Sequence, residues 1–174
     1  NSVRTRLILA GMSEIEKHGV NDFSLRRAAL AAQVSCAAPY RHFKDKDEYI
    51  SEIIKYVNSK WELLTYEIER VFRDDVRRLA TEMCVASLRF RMANRNFRSV
   101  FTLAARDGDK NVLDSAVISA VKLYCDKMGM TEREREIKIF TARAIISGAL
   151  SLVGDNNTEE LLSLAKEKIE AEFI

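Results

Sequence analysis

The sequence predicts an all-α protein in which a small N-terminal helical domain, residues 1–50, is followed by a larger helical domain, residues 51–174. Three observations predict it. One proline and six glycines in 174 residues leave few helix breakers. Apolar residues recur at 3.6-residue spacing in segment after segment. Most of these segments are preceded by Ser, Asp, Thr or Asn, the residues whose side chains satisfy the free N–H groups of a helix start.

Taken in order, Ile8, Met12 and Ile15 recur helically around Gly11, and His18-Gly19 reads as a helix end with glycine just past it. Ser24 caps a second helix, and Phe23 precedes it like one half of a hydrophobic staple. Ala28, Ala29, Ala31 and Ala32 keep that helix slim, and it runs to about Ala32. Val34 and Ser35 follow as a turn, with Ser35 expected to cap a third helix from Cys36 to about Phe43 and Pro39 near its fourth position.

Asp45 and Glu48 read as a capping pair for a long element through Ile50, Ile53, Ile54, Val57, Trp61, Leu64, Ile68 and Phe72. No Gly, Pro or Ser-rich linker interrupts it, so the domain boundary is expected inside this element and the two domains are expected to be mechanically coupled. Asp74-Asp75 opens a helix to about Ala93, and Asn96 opens one carrying Phe97, Val100 and Phe101. Asp107-Gly108-Asp109 breaks before a helix that reaches Met128 and closes at Gly129. Thr131 with Glu134 forms a capping box for a helix through Ile137, Phe140, Ala144, Gly148 and Leu152. Asn157 with Glu160 is expected to do the same for the last helix, through Leu161, Ala165, Ile169 and Phe173.

Composition narrows the function. No stretch approaches the roughly 18 to 20 uncharged apolar residues of a membrane span, and Asn1 to Arg6 lead into an amphipathic helix rather than a signal-peptide core, so no membrane and a cytoplasmic location are expected. Cys36, Cys84 and Cys125 are odd in number and widely separated, which argues for reduced thiols and against a disulfide framework or a zinc site. Cys84 and Cys125 have no recognisable His or Asp partner, and neither a phosphate-binding glycine loop nor a His-Glu metal motif occurs, so neither enzyme nor cofactor is expected. His18, at a helix C-terminus, reads as structural, and His42 alone makes no metal site.

A net charge of +2 is too small to argue for nucleic acid, but its distribution does. Between Ser24 and Lys46, Arg26, Arg27, Arg41, Lys44 and Lys46 stand against Asp45 alone. Two short helices joined by a tight turn, flanked by such charge, suit the major groove, whose width of about 12 Å admits one helix. A solvated charged face is the competing reading of the same residues.

The residues themselves decide between them. Phe23-Ser24-Leu25-Arg26, followed by Gln33-Val34-Ser35-Cys36-Ala37-Ala38-Pro39-Tyr40-Arg41-His42-Phe43-Lys44-Asp45-Lys46, resembles the DNA-binding signature of the tetracycline-repressor (TetR) family. The resemblance starts at Leu7-Ile8, passes through Ala10, Ile15 and Gly19, and ends near Ile50, the first third of the chain. Departures are Glu14 where the family has an apolar residue, Ala28 for a larger aliphatic, and Gln33 and Ala37 for glycines. Gln33 is expected to strain the turn, since glycine tolerates positive φ far better.

The resemblance implies that Ser24 and the start of the second helix, including Arg26, touch phosphate, that Tyr40 and His42 donate to phosphates, and that Lys46 pins the backbone. Cys36, Ala37, Ala38, Pro39 and Arg41 then lie nearest base edges, with Arg41 suited to guanine, and Ser35 is a further DNA-binding residue. Tyr40 and Phe43 also fit a three-helix core, Phe43 above all. It implies too that the partner is double-stranded operator DNA, that the chain is a homodimer, and that a small-molecule effector releases a repressor from DNA.

For the dimer the candidate residues are Ile137, Phe140, Ala144, Gly148, Leu152, Leu161, Ala165 and Ile169; the other reading is that these stripes face the monomer core. For an effector, expected to be apolar or aromatic, they are Trp61, Leu64, Met83, Ser87, Phe90, Phe97, Phe101, Tyr124 and Met128, each of which also fits a filled core. The alternative function is a helical protein-interaction module on the same scaffold that has lost DNA binding.

Overall fold

A computed structural model of the chain describes residues 2–94, 112–154 and 157–174. The expected helix at Asn96, Phe97, Val100 and Phe101 and the break at Asp107 to Asp109 lie outside them. Among the described residues there are eight helices and no strand: α1 (Val3–His18), α2 (Leu25–Ala31), α3 (Ala38–His42), α4 (Lys46–Val71), α5 (Val76–Ala93), α6 (Val112–Lys127), α7 (Glu132–Leu152) and α8 (Thr158–Glu172). The all-α expectation is met. The described residues form two compact units, one of residues 2–60 and one of the remainder from Trp61 onward, so α4 belongs in part to each.

The first unit is built around Tyr49 of α4. Its ring is fully buried, stacked on Phe43 at 4.1 Å and met edge-on by Phe23 at 5.2 Å. Such geometries suit the aromatic quadrupole. A buried hydroxyl needs a partner, and Tyr49 donates to the Leu7 carbonyl of α1 at 2.5 Å. Burial pushes its ionisation well above the usual tyrosine range. Leu7, Ile15 and Ile53 complete this core. Gly11 lets α1 and α4 approach closely, because a Cβ there would lie 2.6 Å from Ile53 Cδ1 and 3.1 Å from the Tyr49 ring. On the outside Arg4 pairs with Glu52 and lies 5.5 Å above the Phe43 ring.

Both α2 and α6 end in the same hydrogen-bonded turn. After α2, Val34 N donates to Ala29 O at 3.1 Å and Gln33 N to Leu30 O at 3.0 Å. After α6, Met130 N donates to Cys125 O at 3.0 Å and Gly129 N to Asp126 O at 3.3 Å. This closure requires a left-handed residue just past the helix. Glycine fills the position at Gly129 (φ 67°), and Gln33 fills it at φ 55°, the one non-glycine among the described residues at positive φ. The expected strain at Gln33 is present, and the two turn hydrogen bonds hold it in place.

The third helix departs from expectation. It begins at Ala38, two residues later than Cys36, and Ser35 does not cap it. The Ser35 carbonyl instead accepts from Ala38 N at 2.9 Å, closing a turn. Proline explains the shift. With a start at Cys36, Pro39 falls deeper, where a missing N–H forfeits a helical bond, whereas in the first turn, where it lies, it forfeits none.

In the second unit Asp75 caps α5 by accepting from Arg78 N at 3.0 Å. The core gathers Leu79, Met83, Cys84 and Leu88 of α5, Val117, Val121 and Tyr124 of α6, and Ala142 and Ile146 of α7. The α7 capping box forms as expected: Glu134 N donates to Thr131 Oγ1 at 3.3 Å, and Thr131 N returns to Glu134 Oε2 at 2.7 Å. The bond from Thr131 N, and with it one from the Thr131 hydroxyl at 2.7 Å, holds the Glu134 carboxyl below the usual carboxylate range.

Asn157 stands before α8 but makes no box with Glu160. Its side chain turns back, accepting from Gly154 N at 2.6 Å and donating to Leu152 O at 3.0 Å. An amide has a donor as well as an acceptor, and here it satisfies the orphan carbonyl at the end of α7.

Candidate nucleic-acid interface

The segment from Ser24 to Lys46 is assembled on α1 by a charge the sequence does not advertise. Glu14 is only 6% exposed, and its Oε1 accepts from Ser24 N at 3.2 Å and from Arg27 Nε at 2.6 Å, with Arg27 Nη2 also in contact. Arg27 Nη2 further donates to the Asp22 carbonyl at 2.5 Å. The hydrogen bond to Glu14 raises the Arg27 pKa above its ordinary value. A buried carboxylate is tolerated when paired and hydrogen-bonded, and this one is both. The sequence shows Arg27 as one charge of the basic window and Glu14 as a departure from an apolar position, but not their pairing.

Ser24 caps α2 through its hydroxyl, which accepts from Arg27 N at 3.4 Å. Arg26 is exposed and makes no hydrogen bond or ion pair among the described residues. From the turn onward, Ser35, Cys36, Ala37, Tyr40, Arg41 and His42 face water, Tyr40 with 66% of its surface exposed. Ala38 and Pro39 do not. Both are buried together with Phe43, and their assignment to base edges is corrected: Pro39 lies one helical turn before Phe43, so it and its neighbour Ala38 share the inward face of α3. Lys46 is half-buried, and its Nζ donates to the Asn21 carbonyl at 3.2 Å, tying α4 to the loop before α2. A basic surface remains, made of Arg26, Arg41 and Lys44 with the His42 and Tyr40 tips.

The expected effector residues are only partly brought together. Trp61 is buried against Phe90, ring centroids 5.2 Å apart. Met83 and Ser87 are buried, but the Ser87 hydroxyl is engaged by Arg91 Nε at 3.3 Å. Arg91 also grips Asp114, whose other oxygen meets Arg143 at 3.2 Å. Tyr124 packs edge-on to Phe173 at 5.1 Å and so belongs to the α6–α8 packing. Leu64 and Met128 are 38% and 39% exposed, and so lie nearer the surface than Trp61 and Met83. Phe97 and Phe101 lie outside the described residues. A groove of about 330 Å³ does open elsewhere in this unit, between Tyr66, Arg70 and Arg73, Leu79 of α5, and Ala120 and Leu123 of α6.

Of the expected dimer residues, those on α7 behave alike. Ile137, Phe140, Ala144, Gly148 and Leu152 are all exposed along one stripe, Phe140 at 73%. Those on α8 do not. Ala165 packs with Leu88 and Ala149, and Ile169 is fully buried, so both belong to the core of the unit. Leu161 is half-buried, and the large apolar residue of α8 that faces outward is Leu164. Three- and four-residue spacing fixes the apolar period and leaves its orientation open. Among the described residues no His, Cys, Asp and Glu group can hold a metal, and no helix is long and apolar enough to cross a membrane.

No protein-family model and no curated protein matches the sequence. Solved structures match over almost the whole chain. A putative TetR-family transcriptional regulator from Mesorhizobium loti is 14% identical, covering 98% of this chain and 94% of its own, with a TM-score of 0.69. The transcriptional regulator FadR from Bacillus subtilis, solved with stearoyl-CoA, is 13% identical over 97% of both chains, with a TM-score of 0.73. GusR from Salmonella enterica is 16% identical, covering 98% of this chain and 95% of its own, with a TM-score of 0.58. The fold is therefore that of TetR-type transcriptional regulators.

Proposed function

We propose that this chain is a sequence-specific DNA-binding transcriptional regulator of the TetR family, working as a homodimer on operator DNA and released by a small-molecule effector. The observation that carries the reading is the shape of α3. Ala38, Pro39 and Phe43 anchor it inward while Tyr40, Arg41 and His42 are held out in water, and Arg26 and Lys44 are exposed as well. A helix anchored on one side and studded with donors on the other suits a groove lined by acceptors and flanked by phosphates. The shared fold supports the same reading.

In this reading Arg26, Tyr40 and His42 hold phosphates, and Arg41 reads a base edge. The α7 stripe is covered by a second copy, which delivers two reading helices to one site. An effector in the second unit acts by preferring the conformer that does not bind DNA, since equal affinity for both conformers shifts nothing. That FadR holds an acyl-CoA supports an effector with an apolar part. α4 is the element that both units share, and it carries Lys46 at its start.

A mobility-shift titration against salt tests the DNA-binding step. Wild type is expected to bind duplex with log K falling linearly in log salt, and Arg26→Ala is expected to flatten that slope by about 0.9, the loss of one phosphate contact. No duplex binding at low salt rejects the proposal.

A further inference from the structure

Two adjacent arginines open α2, and the structure treats them differently. Arg26 is exposed and unengaged among the described residues. Arg27 is folded back, with Nε and Nη2 on Glu14 of α1 and Nη2 also on the Asp22 carbonyl. Its side chain is still 47% exposed, so what removes it from the surface is its partner and not burial. The partner is fixed in turn: Glu14 is buried, its Oε1 accepts from Ser24 N, and its Oε2 faces His18 Nε2 at 3.8 Å. Glu14 therefore occupies Arg27 at the helix start where the DNA-binding reading places phosphate.

We propose that Glu14 is a positioning residue for DNA recognition that withholds Arg27 from the phosphates, so lowering affinity for duplex of any sequence while holding the first turn of α2 in register. The inference rests on the DNA-binding reading above. The physical basis is that a guanidinium already paired with a buried carboxylate must give up that pairing to reach a phosphate. An unpaired one releases condensed counterions on contact at no such cost. Attraction to phosphate is blind to sequence, so each cation withheld lowers the background against which α3 reads bases. Arg26 supplies the phosphate contact at this helix end, and Arg27 supplies the hinge pin.

The test is the salt slope on a duplex of arbitrary sequence. Glu14→Leu removes the carboxylate from Arg27 and from Ser24 N, and leaves no charge buried without a partner, since Arg27 reaches water. It is expected to fold, to bind roughly tenfold tighter at about 50 mM salt, and to steepen the slope by about 0.9. Arg27→Met keeps the wild-type slope, and the double variant Glu14→Leu/Arg27→Met returns to it. Glu16→Gln, an exposed carboxylate lost from the same helix, leaves the slope unchanged and so controls for net charge.

If Glu14→Leu unfolds, Glu14→Gln takes its place and is expected to steepen the slope by a smaller amount. An unchanged slope in the folded Glu14 variant, or a flatter slope in Arg27→Met, overturns the inference while leaving the DNA-binding reading intact. A wild-type chain that binds no duplex at all overturns both.

Discussion

The surface of α3 and the surface of α7 are both exposed, and they ask different things of a partner. On α3 the exposed groups are a guanidinium, an imidazole and a phenol, all of which water satisfies. On α7 they are Ile137, Phe140 and Leu152, with Ala144 and Gly148 between them, which water does not satisfy. Covering one large apolar side chain is worth about 1.5 to 3 kcal/mol, so the α7 stripe favours a standing partner. What such groups gain from a phosphate depends on salt, so that surface suits a partner that comes and goes. The proposed function needs both kinds of surface.

The largest effect is expected where the comparison is easiest to break. Ile137→Asp with Phe140→Asp places two charges in the stripe, and sedimentation is expected to show a dimer for wild type and a monomer for the double variant. Changes at Tyr40 or His42 leave the mass unchanged. A double variant that still sediments like wild type removes the stripe from any interface.

A smaller effect sharpens the contrast between the two units' matching turns. Gln33→Gly relieves a left-handed non-glycine residue and is expected to stabilise the chain by about 1 kcal/mol in urea unfolding, less any entropy glycine adds to the unfolded state. Gly129→Gln is expected to destabilise it by about the same amount. Nothing lies within 4 Å of a Cβ built at Gly129, so backbone conformation alone is being measured there. Equal and opposite shifts fit the account, and a destabilised Gln33→Gly contradicts it.

These cases also show what a sequence discloses. Ser24, Asp75, Thr131 and Gly129 were legible because a cap or a helix end is decided within a few residues. The start of α3 was misplaced because Ser35 is a good cap in isolation, and the position of Pro39 outweighs it. Asn157 was misread because its amide can serve either neighbouring helix. On α8 the apolar period was correct, and Ala165 and Ile169 still face the core, because periodicity does not say which neighbour a stripe meets. Glu14 was visible only as a departure from an apolar position. Its meaning depends on Arg27, thirteen residues on, folding back to reach it.

The most direct test of the account is enrichment of duplexes from a random-sequence pool by wild type and by Arg41→Ala, both at moderate salt. The account predicts that wild type enriches a two-fold symmetric motif, and that Arg41→Ala loses about 1 to 3 kcal/mol of discrimination at one base pair in each half while still binding duplex. Enrichment of no motif by wild type, or of the same motif with undiminished preference by Arg41→Ala, contradicts the claim that α3 reads the sequence.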